Sequence, residues 1–241
     1  MFDPSAQFEL QVCPNGRQSA DEYFHQGSIW IEGRENSKYT LIFTNRSSNR
    51  VMVVFSVDGL DTIKGQPAGL NSDGYIVNAR SNIEVPGWTL DNTSAAEFFF
   101  SKAGRSYVTS SGNNTNNTGV IGAMVFKEQI TWPTLHRQAM VRSKSIDMGN
   151  NAWYSSSASL VPQDIGTGFG NATQFNTVSA TFNKANPTAP DAILAIYYNT
   201  AKNLEKLGIN VRTIHTRYNN SSAEPFPAYT SGCKPPLGWT K

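Results

Sequence analysis

The run Val51-Met-Val-Val-Phe-Ser-Val57, closed at once by Asp58-Gly59, constrains this chain more than any other feature. Valine's branched β-carbon packs well on a pleated surface and poorly in a helix, and seven residues are short for a buried helix. The run therefore predicts a central strand covered on both faces. The Asp-Gly pair after it suits the positive φ angles of a tight turn. Such a strand needs partners along its edges and a second layer against it.

The partners are legible nearby. Phe8, Leu10 and Val12 alternate with polar residues, and Cys13-Pro14-Asn15-Gly16 supplies a turn. Ser28–Glu32, Tyr39–Thr44, Ala95–Phe100 and Gly119–Phe126 read as further strands, while Tyr75–Val77 and Asn82–Pro86 read as a short hairpin leading into Gly87-Trp88. Gly65–Gly74 and the Asn-rich Ser110–Gly119 read as exposed loops. Helical periodicity is absent from about residue 7 to 127. Asn, which occurs 23 times, serves turns better than helix interiors.

The expected fold is mainly β, an antiparallel sandwich of jelly-roll or immunoglobulin-like type with one short C-terminal helix and long irregular arms. Residues 1–130 form the core and 131–176 an irregular arm or linker with short embedded strands. Residues 177–241 carry strands at Thr177–Phe182 and Ala192–Tyr198, a helix from Ala201 to Leu207 capped by Thr200 and stopped by Gly208, and a Pro-rich tail. Integration of all three parts into one domain is left open.

Charge and cysteine usage exclude several classes. The net charge of +2 with 16% charged residues gives no basic footprint for nucleic acid. No apolar run approaches the ~18 residues of a membrane-spanning helix, and Met1–Gln7 shows no secretory signal. Cys13 and Cys233 are expected as two separate reduced thiols.

Catalytic motifs are missing. His25, His136 and His215 each stand alone, no Gly-x-Ser-x-Gly elbow or P-loop occurs, and Gly166-Thr-Gly-Phe-Gly170 lacks the strand, helix and Lys of a nucleotide loop, so a flexible bend is expected there. Asp58, Asp61 and Asp73 match no calcium loop and are expected to serve turns. No enzyme activity, cofactor or metal is expected. The expected interface or ligand residues are Trp88, Trp132, Trp153, Tyr154, Phe226, Tyr229 and Trp239, aromatics in or beside loops and arms.

Val57-Asp-Gly-Leu-Asp61, Gly65-Gln-Pro-Ala68, Gly74-Tyr-Ile-Val77, Val85-Pro-Gly-Trp88, Ala95-Ala-Glu-Phe98 and Gly119–Phe126 resemble an uncharacterised β-rich domain of bacteriophage and bacterial genomes. Gly166–Gly170, Ala192–Tyr198, Asn203–Gly208 and Pro225-Phe-Pro227 extend the resemblance over most of the chain, from about Trp30 to Trp239. It implies a common fold and a viral setting but transfers no site. The expected function is thus a non-enzymatic virion structural protein, a capsid-decorating, vertex or fibre-anchoring component. Its expected partners are other virion proteins and copies of itself, and its arms would wrap neighbours. The alternative is a carbohydrate-binding module for host surface glycans, stacking sugars on Trp88 or Trp153.

Overall fold

A computed structural model describes residues 1–16, 18–129 and 161–211. The described strands are β1 (Phe8–Pro14), β2 (Tyr23–His25), β3 (Ser28–Glu32), β4 (Lys38–Asn45), β5 (Val51–Val57), β6 (Leu60–Asp61) and β7 (Tyr75–Val77). They continue as β8 (Ser81–Val85), β9 (Gly87–Thr89), β10 (Ser94–Lys102), β11 (Val120–Lys127), β12 (Ile165–Gln174) and β13 (Ala192–Asn199). Two short helices, α1 (Tyr107–Ser110) and α2 (Ala201–Lys206), accompany them.

One sheet runs β1-β4-β10-β12, with β8 beside β4 and β9 beside β10. The other runs β2-β3-β13-β11-β5-β6, with β7 beside β5. The sheets pack face to face as a β-sandwich. Leu10, Leu41, Phe43, Phe98 and Phe100 from the first meet Val53, Phe55, Ile121, Leu194 and Ile196 from the second. Alternate residues of each strand point inward, as the two-residue strand period demands.

The central position expected of Val51–Val57 holds, since β5 pairs with β11 on one edge and with β6 and β7 on the other. Asp58 and Gly59 take φ values of 52° and 84°, the positive pair that the tight turn requires. The helix caps also hold: the Thr200 side chain accepts from the Asn203 amide, and Gly208 stops the helix at φ 88°.

The structure departs from several local expectations. Tyr75–Val77 and Asn82–Pro86 form no hairpin: β7 pairs with β5 in one sheet, and β8 with β4 in the other. The link between them changes sheets, turning at Arg80 with φ 52°. The pairing is not purely antiparallel, because β3 lies parallel to β13. A four-residue helix, α1, stands in the stretch read as free of helix, too short to leave a period in the sequence. Thr177–Phe182 is no strand. Its Thr177 amide donates to the Asn92 carbonyl, its Phe182 packs on Met52, Val54 and Phe126 of the second sheet, and Val178 between them is 91% exposed.

The arm placed at 131–176 contains a ten-residue strand, β12, paired along β10. The predicted bend at Gly166–Gly170 is therefore extended sheet. Its glycines make room for neighbours: the Phe99 ring covers Gly168, where a Cβ would overlap it. Beyond residue 177, β13 sits between β3 and β11 at the middle of its sheet.

Gly87 shows how tightly the layers are fitted. Phe98 N–H donates to the Pro86 carbonyl at 3.0 Å, and a Cβ on Gly87 would collide with the Ala96 carbonyl oxygen. Gly87→Ala is expected to lower unfolding stability by about 2–3 kcal/mol. Gly104→Ala, where a Cβ meets nothing within 4 Å, should stay within about 0.5 kcal/mol. Urea midpoints of the two variants check this, and equal midpoints would contradict it.

Candidate functional site

The outer face of the second sheet is apolar where sheet faces are usually polar. β5, β11 and β13 direct one set of residues into the core and present Met52, Val54, Met124, Phe126, Ile193 and Tyr197 on the other side. The chain covers this face at two ends. Phe182 packs on Met52, Val54 and Phe126, with the Lys184 ammonium 4.0 Å from the Phe126 ring centroid. At the other end α2 and its exit bring Leu204, Ile209 and Val211 against Tyr23 and Trp30.

Between the two covers the strand register builds a shallow trough. Ser56, Gly122 and Ala195 lie side by side across β5, β11 and β13 and make its floor. One wall is the row Val54, Met124 and Ile193; the other is Val120, Tyr197 and Trp30. Each wall stands two residues from the floor, so the trough is ~13 Å from wall to wall.

The Trp30 and Tyr197 rings meet at a tilt with centroids 5.2 Å apart, and Tyr23 pairs with Trp30 to extend that wall. Ile193 is 42% exposed on the opposite side. Gly122 needs no small residue for the chain's own packing: a Cβ there would find its nearest neighbours at 3.7 and 3.8 Å. A glycine inside a central strand costs stability, and here it lowers the floor. No charged side chain stands in either wall or the floor. The lining is apolar apart from the hydroxyls of Ser56 and Tyr197.

Of the aromatics expected at an interface, Trp88 is corrected. It is 2% exposed in the core, stacks edge-on against Phe98, and donates its indole N–H to the Gly168 carbonyl at 3.1 Å. The strand pair β9–β10 turns it inward, which a reading of Gly87-Trp88 as a loop misses. Its contacts lead outward instead: Tyr107 lies 4.7 Å from Trp88, and Phe169, 44% exposed, lies 5.0 Å from Tyr107. Trp132, Trp153, Tyr154, Phe226, Tyr229 and Trp239 lie outside the described residues, as does Cys233. Cys13 is buried, and burial pushes its thiol pKa up.

A polar cluster pins the two sheets together from inside. Asp58, 1% exposed, accepts from the Gly119 amide at 2.8 Å, the Thr167 amide at 2.7 Å and the Tyr198 hydroxyl at 2.6 Å. Thr167 Oγ1 lies 2.9 Å from the Tyr198 hydroxyl and 2.7 Å from that of Tyr39. With Tyr198 donating to the carboxylate, the order of donation is Tyr39 to Thr167 to Tyr198 to Asp58. All four residues are buried, so the cluster is a structural tie with no access for a substrate. Among the described residues no group of three or more His, Cys, Asp or Glu is placed to hold a metal ion.

Burial pushes the Asp58 carboxyl up to about 6, against the pull of its donors Tyr198, Thr167 and Gly119. The folded state thus holds this proton more tightly than the unfolded chain does. The resulting stabilisation is full below the ordinary Asp range and is lost as pH rises through about 6. At ~1.4 kcal/mol per pKa unit the loss is about 3 kcal/mol. The wild-type minus Asp58→Asn difference in unfolding free energy should shrink by that amount from about pH 3 to about pH 7. A difference that stays flat across the range would rule this out.

Comparison with known proteins finds no matching family model, curated protein or solved structure.

Proposed function

We propose that this chain is a non-enzymatic structural protein of a phage particle, of the capsid-decorating, vertex or fibre-anchoring kind. It acts through protein–protein contacts at the trough on the outer face of its second sheet. The observation that carries the reading is the uncharged floor and walls of that trough, open between two covered ends. Exposed apolar surface of this kind marks interaction sites, and a flat three-strand floor suits a polypeptide better than a small molecule. The viral setting comes from the resemblance, and the partners are other virion proteins and copies of this chain. Among the described residues no helix is long and apolar enough to cross a membrane.

The carbohydrate-binding alternative is weakened at Trp88, whose faces are spent on Phe98 and Tyr107. Among the described residues the exposed rings are Phe2, Phe24 and Phe169, none of them a tryptophan, and Phe169 is partly covered by Tyr107.

Light scattering on the full chain is expected to show a closed oligomer. Ile193→Glu places a charge on an exposed wall and touches nothing in the core. The variant should run as a smaller species, with a melting temperature within ~2 °C of wild type. A wild-type chain that is monomeric, with the same mass as the variant, would sink the reading.

A further inference from the structure

We propose that the trough is the seat of the chain's own C-terminal segment, residues 212–241, docked by its proline and aromatic residues. The inference rests on the trough being a docking surface, as in the reading above, and names its occupant.

Position is the first argument. The described chain stops at Val211, which packs against Tyr23 and Trp30, and whose carbonyl accepts from the Tyr23 hydroxyl at 3.4 Å. The segment therefore departs from the aromatic wall of the trough. At ~3.3 Å per extended residue, 212–241 is ample to cross a floor three strands wide, at ~4.8 Å per strand. It also suffices to reach the trough of an adjacent copy.

The second argument is chemical. Aromatic-lined grooves are the standard receptor for proline-rich segments: proline has no N–H to leave unsatisfied and its ring packs flat on indole and phenol faces. One wall of the trough is Tyr23, Trp30 and Tyr197, and the tail carries Pro225-Phe-Pro227, Tyr229, Pro235-Pro236 and Trp239. From Pro225 to Cys233 the tail has no charged residue, matching walls and floor that have none. The low floor at Gly122 and Ala195 gives an inserted ring the depth that a Leu or Ile there would remove.

The test is limited trypsin digestion of the full chain, with release of residues 218–241 after Arg217 followed by mass spectrometry. One variant fills the floor, Gly122→Leu with Ala195→Leu. A second alters only the tail, Phe226→Ala with Tyr229→Ala and Trp239→Ala, and leaves every described contact in place. The expected result is release about tenfold faster from both variants than from wild type, with the melting temperature of the tail variant within a few degrees of wild type. Equal release rates from wild type and the tail variant would overturn the proposal, including the case in which another protein fills the trough. Light scattering separates the two readings. A monomer with a protected tail keeps this inference and removes self-assembly. An oligomer with an unprotected tail does the reverse.

Discussion

The fold hangs on one buried carboxylate. Asp58 ends the central strand of the second sheet, and its positive φ turns the side chain inward rather than to solvent. There it takes donors from the residue before β11, from β12 in the opposite sheet, and from β13. Its partners are neutral donors, so the charge is held by dipoles alone, and each one left unpaired would cost more than it contributes when paired. The hydroxyls of Thr167 and Tyr39 continue the tie across the first sheet. An aspartate common in turns for its backbone preference has become the joint between two layers.

The same economy shapes the outside of the molecule. β5, β11 and β13 are apolar in both directions because both of their faces were meant to be covered. The inner face is closed by the opposing sheet. The outer face is closed by Phe182 at one end and by α2 at the other, and the middle stays open. What distinguishes the open part is register: the smallest residues of three strands fall on one line, with larger rings and branched chains on either side. Hydrophobicity alone, summed over each strand, does not show this.

Much of the fold was legible because strands with alternating or unbroken apolar runs and Gly, Asn or Pro at their ends announce themselves. Val51–Val57 and Ser28–Glu32 coincide with β5 and β3 to the residue. β12 was not legible, since Ile-Gly-Thr-Gly-Phe-Gly-Asn-Ala-Thr-Gln carries no strand period, and its glycines answer to the Phe99 ring and the Glu97 backbone of a neighbouring strand. Thr177–Phe182 erred the other way: its alternation is real, but no strand lies alongside to use it. Trp88 was misplaced because a tryptophan after Pro-Gly looks like a loop residue until β10 is seen beside it. The trough was invisible for a further reason. Ser56, Gly122 and Ala195 are scattered along the chain, and only the pairing of β5, β11 and β13 makes them neighbours.

The parallel pair β3–β13 has a consequence for the order in which the molecule is made. Among the described residues β13 is the last strand of its sheet in sequence, yet it lies between β3 and β11, with β2 and β3 on one side and β11, β5, β6 and β7 on the other. As the chain leaves the ribosome, these two halves have no edge in common until Asn199 has emerged. Until then β3 and β11 each present an unpaired edge, the condition under which nascent chains associate wrongly. The second sheet is therefore completed in a single late step, by insertion of its central plank, rather than strand by strand from the N-terminus.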